Sequence, residues 1–286
     1  QLTGGARESM AGRFERLYLH HWTARDLVQV FDFSPEIAAL TVVRYGAFPG
    51  SMSLLASPTR WKTYVRDAII DPAIGNDILM LQPVRRPALL RQVFAVCIGH
   101  PAEVLSLQKI AGSLTDAGNL ATIADYLSLL NDAYLAAALP KFALTEVRRR
   151  ATPPKLIPLS NAFLAVASDA EPPTQDTDPR RWGQWLENAC IARAINDGYT
   201  VTYWREAPQE VDMVIAGDAG DWVVEIKGGD YTLRDLVGLL EFRRRNPNYR
   251  PLVIGDHAYR DTAAKAGVDF LSWQSFLLDG LHALPV

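Results

Sequence analysis

The stretch EVDMVIAGDAGDWVVEIKGG, residues 210–229, constrains this chain more than any other. Two short runs rich in Val, Ile and Trp flank a Gly-Asp-Ala-Gly turn, the pattern of an antiparallel β-hairpin. With the turn centred between Asp218 and Ala219, Asp212 falls directly opposite Glu225. Opposed residues hold their Cβ atoms about 4.5–5.5 Å apart, and like charges placed so repel. A divalent cation between the two acids would turn that repulsion into a binding site. The plainer alternative is a polar strand face on which Lys227 screens both. Alternation puts Lys227 on the face of Glu225, and gathers Val211, Met213, Ile215, Trp222, Val224 and Ile226 on the other, apolar face. Val214 and Val223 share the acidic face, which requires cover by another element. Only six of the 29 Lys and Arg residues are lysines, so a lysine ending this strand stands out. Everything depends on register, because a slip of one residue sends each side chain to the opposite face.

Upstream, RWGQWLENACIARAINDGY is helical by period, and Gly183, Glu187, Ile191 and Ala194 share one face. Packed on a sheet, that face carries Glu187 inward, where a carboxylate needs a cation or a donor. The alternative leaves Glu187 at the rim of an amphipathic face. VTYWREAPQ supplies a further strand and turn. Glu210, two residues before Asp212, is a weaker candidate ligand by alternation. His257, in VIGDHA, is a candidate border residue or simply an exposed one.

A formal net charge of -3 on 286 residues gives no global attraction to nucleic acid or membrane, so any basic surface must be local. Composition is that of an ordinary globular protein, long enough for two or three cores. The only cysteines, Cys97 and Cys190, lie far apart in apolar helical surroundings, which predicts free thiols and a cytoplasmic location. No apolar run is long enough for a membrane span, and no repeat is evident. The opening QLTGGARESMAGRFERL lacks the apolar block of a signal peptide. It reads as a chain that begins inside a domain, with strands over 1–3 and around 14–19.

Three regions follow from pattern and punctuation. Residues 1–84 are mostly helical, with starts at Thr23 and Ser34, a break at AFPG and a further helix over 58–70. Over 85–150, RPALLRQVFAVCIGH, SLQKIAGSL with Ser106 as its N-cap, and LATIADYLSLLNDAYL precede an extended AAALPKFAL. That is the order of a winged helix-turn-helix. Its third helix offers no Arg or Lys to neutralise phosphates, so two readings stand: DNA recognition, or a surface for packing and partner proteins. The Arg148–Arg150 run and ATPPK mark the boundary to the third region, 151–286, in which KLIPLSNAFLAV reads as a strand entering a short helix. ASDAEPPTQDTDPRR, at 167–181, reads as a mobile loop.

Asp212, Glu225-Ile226-Lys227 and Glu187 on a preceding helix together resemble the active-site pattern of the restriction-endonuclease-like, PD-(D/E)XK, nuclease superfamily. More specifically, WGQWLENACIARAI, YWREAPQEVDMVI and VVEIKGG resemble the C-terminal domain of unknown function of bacterial and archaeal AAA-type ATPases. AGRFERLYLHHWTARDL, YGAFPG and WKTYVRDAII are similar to the end of that family's ATPase module and its helical lid, and AGNLATIADYLSLL to its winged helix. The resemblance implies an α/β (α+β) multidomain chain: a helical lid remnant, a winged helix, and a nuclease-like α/β domain with a mixed sheet flanked by helices. It also implies magnesium or manganese held by Asp212, Glu225 and Glu187, with Lys227 completing the catalytic set. The family carries an N-terminal P-loop, yet no G-x-x-x-x-G-K-[ST] occurs here and no lysine follows a glycine. ATP is therefore expected only in a longer protein. Arg13 sits where the family has an arginine able to act on nucleotide; as a strand-edge residue it could equally be an ion-pair partner. The expectation is a piece of an ATPase-associated, DNA-directed protein with a metal-dependent nuclease domain. Its rival is a non-catalytic DNA- or protein-binding regulatory module that retains the nuclease fold, with the winged helix as the surface that docks a partner protein or a second copy.

Overall fold

The structure, a computed structural model, describes residues 19–78, 84–143, 152–217 and 220–284. Arg13 and the strands anticipated before residue 19 lie outside the described residues, as does the centre of the hairpin turn. The chain is a mixed α/β assembly with two sheets.

Helices α1 (Ala24–Phe31) and α2 (Pro35–Tyr45) start where expected. Thr23 caps the first in a reciprocal box with Asp26, and Ser34 caps the second ahead of a proline in its opening turn. Gly46 ends α2 with φ +68°, and a Cβ there would lie 2.4 Å from the Ser160 hydroxyl, so only glycine serves both turn and contact. After the short α3 (Pro49–Met52), α4 (Pro58–Tyr64) runs on through π-helical turns, Val65–Ile70 and Ala73–Asp77.

Next come α5 (Pro87–Gly99), β1 (Glu103–Val104), α6 (Leu107–Gly112), α7 (Leu120–Asp132), β2 (Ala136–Leu139) and β3 (Lys155–Pro158). This is the element order anticipated for a winged helix. Ser106 and Asn119 cap α6 and α7 through their side chains. One difference matters: β3 was expected to open the third region, yet it is the central strand between β1 and β2, antiparallel to both. Lys155 pairs with Val104 on one side and Leu139 on the other. The sheet therefore crosses the boundary drawn at residue 150, because apolar KLIP completes the pairing of its neighbours rather than starting a new layer.

Helices α8 (Asn161–Ala167) and α9 (Pro179–Asn196) lead into a five-stranded sheet, β4 (Thr200–Glu206), β5 (Gln209–Ala216), β6 (Trp222–Ile226), β7 (Arg250–Gly255) and β8 (Asp269–Ser272), in spatial order β4-β5-β6-β7-β8. The first three strands are antiparallel and the last two join in parallel. The segment between α8 and α9 is tied down, with Arg44 donating to the carbonyl of Pro172 and Lys62 to that of Ser168. Parallel β6, β7 and β8 are linked through α10 (Val237–Arg245) and α11 (Arg260–Lys265), and α12 (Trp273–Asp279) runs into a final 3-10 turn, Gly280–Ala283.

The hairpin has the anticipated register: Met213 faces Val224, Val214 faces Val223 and Ile215 faces Trp222. Strict alternation fails at one point. On the β4 side, Thr202 pairs with Val214 but Trp204 with Val211, so Asp212 and Met213 together oppose Tyr203 in a β-bulge. The extra residue resets parity. Val211, expected beside Met213 and Ile215, instead packs with Trp204, Val214 and Val223. That second face is covered by Leu239 and Phe242 of α10, the cover its valines required. The first face, with Met213, Ile215, Trp222, Val224 and Ile226, joins a core continuous with α9, α12 and the N-terminal helices.

Candidate active site

Where β5 bulges and β6 ends, five charged side chains from four elements meet. Asp212 occupies the bulge, and its Oδ2 accepts the Ile226 amide at 2.8 Å, fixing the carboxylate beside the end of β6. Glu225 is buried on β6. Its Oε1 accepts from Lys227 Nζ at 2.8 Å, while Oε2, equally buried, meets no hydrogen-bond partner among the described residues. The Lys227 amide in turn donates to the Ile254 carbonyl at 2.8 Å, anchoring the lysine against β7.

Glu187 arrives from α9. That helix lies unusually close to the strand end: a Cβ on Gly228 would sit 2.8 Å from the Cα of Gly183, and Trp182 donates its indole N–H to the Gly228 carbonyl at 2.9 Å. One turn beyond Gly183, on the same face, Glu187 points inward rather than to the rim, and its side-chain exposure is 22%.

The fifth member went unnoticed in the sequence. Lys155, the first residue of β3, is only 5% exposed and ion-pairs with Glu187. Its Nζ also donates to the Asp212 carbonyl at 3.1 Å and lies 3.8 Å from Asp212 Oδ1. The scarcity of lysine that drew attention to Lys227 applied equally to Lys155, which heads an otherwise apolar strand. What the sequence lacked was the topology that brings the three-stranded sheet to this corner.

Electrostatics follow from burial. Desolvation, then the charge of Asp212, push Glu187 up to about 7 against the pull of Lys155. The same two causes, opposed by Lys227, push Glu225 up to about 8. Burial works against both ammonium groups, but the acids around them outweigh it and hold Lys155 and Lys227 above the ordinary lysine value. Asp212 stands between two ion pairs, Glu187–Lys155 and Glu225–Lys227. Fully ionised, three carboxylates face two ammonium groups.

A cavity of about 290 Å³ opens onto Lys155, Glu187 and Asp212; Glu103 and Val104 of β1 form one wall, Tyr203, Arg205 and Glu210 another. Glu210 is thus at the mouth, paired with Arg205 at 3.2 Å and away from the buried acids. His257 is exposed after β7, its ring edge-on to Phe270, and joins no part of the cluster. Larger grooves of about 490 and 630 Å³ flank α7, and no comparable gathering of buried charge accompanies them.

Residues 39–174 match a family described as a domain of unknown function (DUF8612), and residues 182–276 match a second domain of unknown function (DUF4143) found in AAA-ATPase-associated C-terminal regions. No Walker A sequence occurs in the chain. No curated protein matches it. Among solved structures it is similar to protein VC1899 from Vibrio cholerae, at 13% identity and a TM-score of 0.25, over 96% of this chain and 63% of that one. This chain therefore spans less than two thirds of that protein, and a likeness so slight transfers neither fold nor function. Among the described residues no helix is long and apolar enough to cross a membrane.

Proposed function

We propose that the C-terminal α/β region is a metal-dependent phosphodiesterase acting on nucleic acid, within an ATPase-associated protein. The observation that carries the reading is the convergence of Glu187, Asp212 and Glu225 from three elements, with Lys227 on Glu225 and a buried Glu225 oxygen left without a described partner. Oxygen-only donors of this kind suit magnesium or manganese rather than zinc. Asp212 and Glu225, with Glu187, would hold the ion, which supplies Lewis acidity and a lowered water pKa when bound. Lys227, held by Glu225, would place its ammonium against the charge that develops on the scissile phosphate. The buried setting strengthens each of these interactions by keeping bulk water away.

A second reading has its own support. The two lysines already engage the acids, and among the described residues no three Asp, Glu, His or Cys side chains are arranged to hold a metal ion. The outward residues of α7, Ala121, Ala124, Asp125, Ser128, Asn131 and Asp132, carry two acids and no base. Such a face suits a partner protein, or a second copy, better than phosphates. In that reading the fold is kept as a binding module.

Incubation of the chain with plasmid and single-stranded DNA, with Mg or Mn and with chelator, separates the two. The nuclease reading expects metal-dependent cleavage that falls by about 100-fold or more in Asp212→Ala and in Lys227→Ala. Cleavage that those substitutions leave intact, or DNA retention without cleavage at any metal concentration, refutes it.

A further inference from the structure

We propose that Lys155 is a built-in counter-ion of the acidic cluster: its ammonium holds the place between Glu187 and Asp212 that a divalent cation takes in the loaded site. Metal loading therefore requires the Lys155 side chain to swing out of the cluster. The proposal rests on the metal-site reading above and adds what controls that site.

Geometry makes the two cations mutually exclusive. Lys155 Nζ touches the Glu187 carboxylate, lies 3.8 Å from Asp212 Oδ1 and donates to the Asp212 carbonyl. An ion bridging Glu187 and Asp212 at magnesium–oxygen distances of about 2.0–2.1 Å would need that same volume. Charge agrees. With both lysines in place, a divalent ion would leave the buried cluster one positive charge in excess. With Lys155 withdrawn, the ion and Lys227 together balance the three carboxylates.

Lys155 reaches the cluster from the other sheet. The acids and Lys227 belong to α9 and the five-stranded sheet, whereas Lys155 belongs to β3, paired on both sides within the other sheet. The two sheets meet through Tyr203 of β4: its hydroxyl donates to the Pro153 carbonyl, its amide to the Pro140 carbonyl at 3.2 Å, and its carbonyl accepts from the Phe142 amide at 2.6 Å. Two residues from the lysine, this contact is reinforced by α9, where Asn188 donates to the Pro158 carbonyl and Gln184 to that of Pro101, so β3 stays in place and the lysine side chain is what moves. Beside it, the cavity walled by both sheets gives the four-carbon stem of Lys155 room to swing clear.

The test is Mn(II) binding to the whole chain, followed by electron paramagnetic resonance, in the wild type, Lys155→Met, Lys155→Gln and Lys155→Met combined with Asp212→Asn. The expected result is Mn(II) affinity at least about tenfold higher in Lys155→Met, since a competing unit charge within about 4 Å is gone. The gain should be lost in the double variant, and Lys155→Gln, which keeps a donor for Glu187 and loses only the charge, should bind severalfold more tightly than the wild type. If Lys155→Met leaves the acids too poorly balanced to fold, Lys155→Gln decides. Unchanged or weaker binding in the folded variants overturns the counter-ion; if the wild type nonetheless cleaves DNA with metal, the nuclease reading survives that loss. Tighter binding without cleavage in any variant upholds the counter-ion and removes the nuclease reading. Absence of Mn(II) binding in every variant overturns both.

Discussion

Glu225 is buried with one oxygen on Lys227 and the other without a described partner, so its charged form is costly in the fold. Its carboxyl titrates near 8 rather than in the usual carboxylate range. A folded-state value raised above the unfolded one contributes stability that is complete at low pH and disappears as pH rises through the folded value. The wild type should therefore lose on the order of a few kcal/mol between about pH 5 and pH 8–9 from this group. Glu225→Gln should flatten that slope. Urea midpoints at pH 5.5 and 8.5 check it: the gap between the two midpoints narrows in the variant, and an unchanged gap contradicts the assignment. Glu187, raised by the same causes, leans the same way. At this scale the sequence was informative about identity but not about company. Asp212, Glu225, Lys227 and Glu187 were all legible from strand alternation, the helical face and the motif. Lys155 was not, because nothing local to PPKLIP indicates which acids it meets.

The helix α9 owes the position of Glu187 to the contact between Gly183 and the backbone at Gly228, where no Cβ fits. Gly228→Ala should push α9 outward, costing about 1–3 kcal/mol by overpacking. A displacement of about 1 Å at Glu187 would lower metal-dependent cleavage by about 100-fold. Chemical denaturation together with a cleavage assay tests this; wild-type activity with wild-type stability contradicts the packing account. Elements themselves were largely legible, since their ends carry side-chain caps: Thr23, Ser34, Ser106 and Asn119 each bond the turn they open. The bulge at Asp212 was not, because alternation across EVDMVI reads as unbroken. Yet that extra residue sets Asp212 beside Met213 and sends Val211 to the α10 face.

Across the whole molecule, one core joins the N-terminal helices, the helices and strands of the three-stranded sheet's segment and one face of the five-stranded sheet, while α10 and α11 close the other face. The acidic cluster sits where these layers meet, with a wall and a cation contributed by the smaller sheet. Region boundaries read from punctuation missed this junction. Prolines and charges mark 148–154 as a break in the chain, but β-pairing is non-local, and β3 returns across the break to complete its sheet. This junction is what brings Lys155 to the acids. The most direct measurement is a crystal structure of the whole chain grown with manganese, read by anomalous scattering. The account predicts a peak at about 2.1 Å from oxygens of Asp212 and its acidic neighbours, with the Lys155 ammonium drawn away from Glu187. No peak at the cluster, with Lys155 still on Glu187 at saturating manganese, would contradict it.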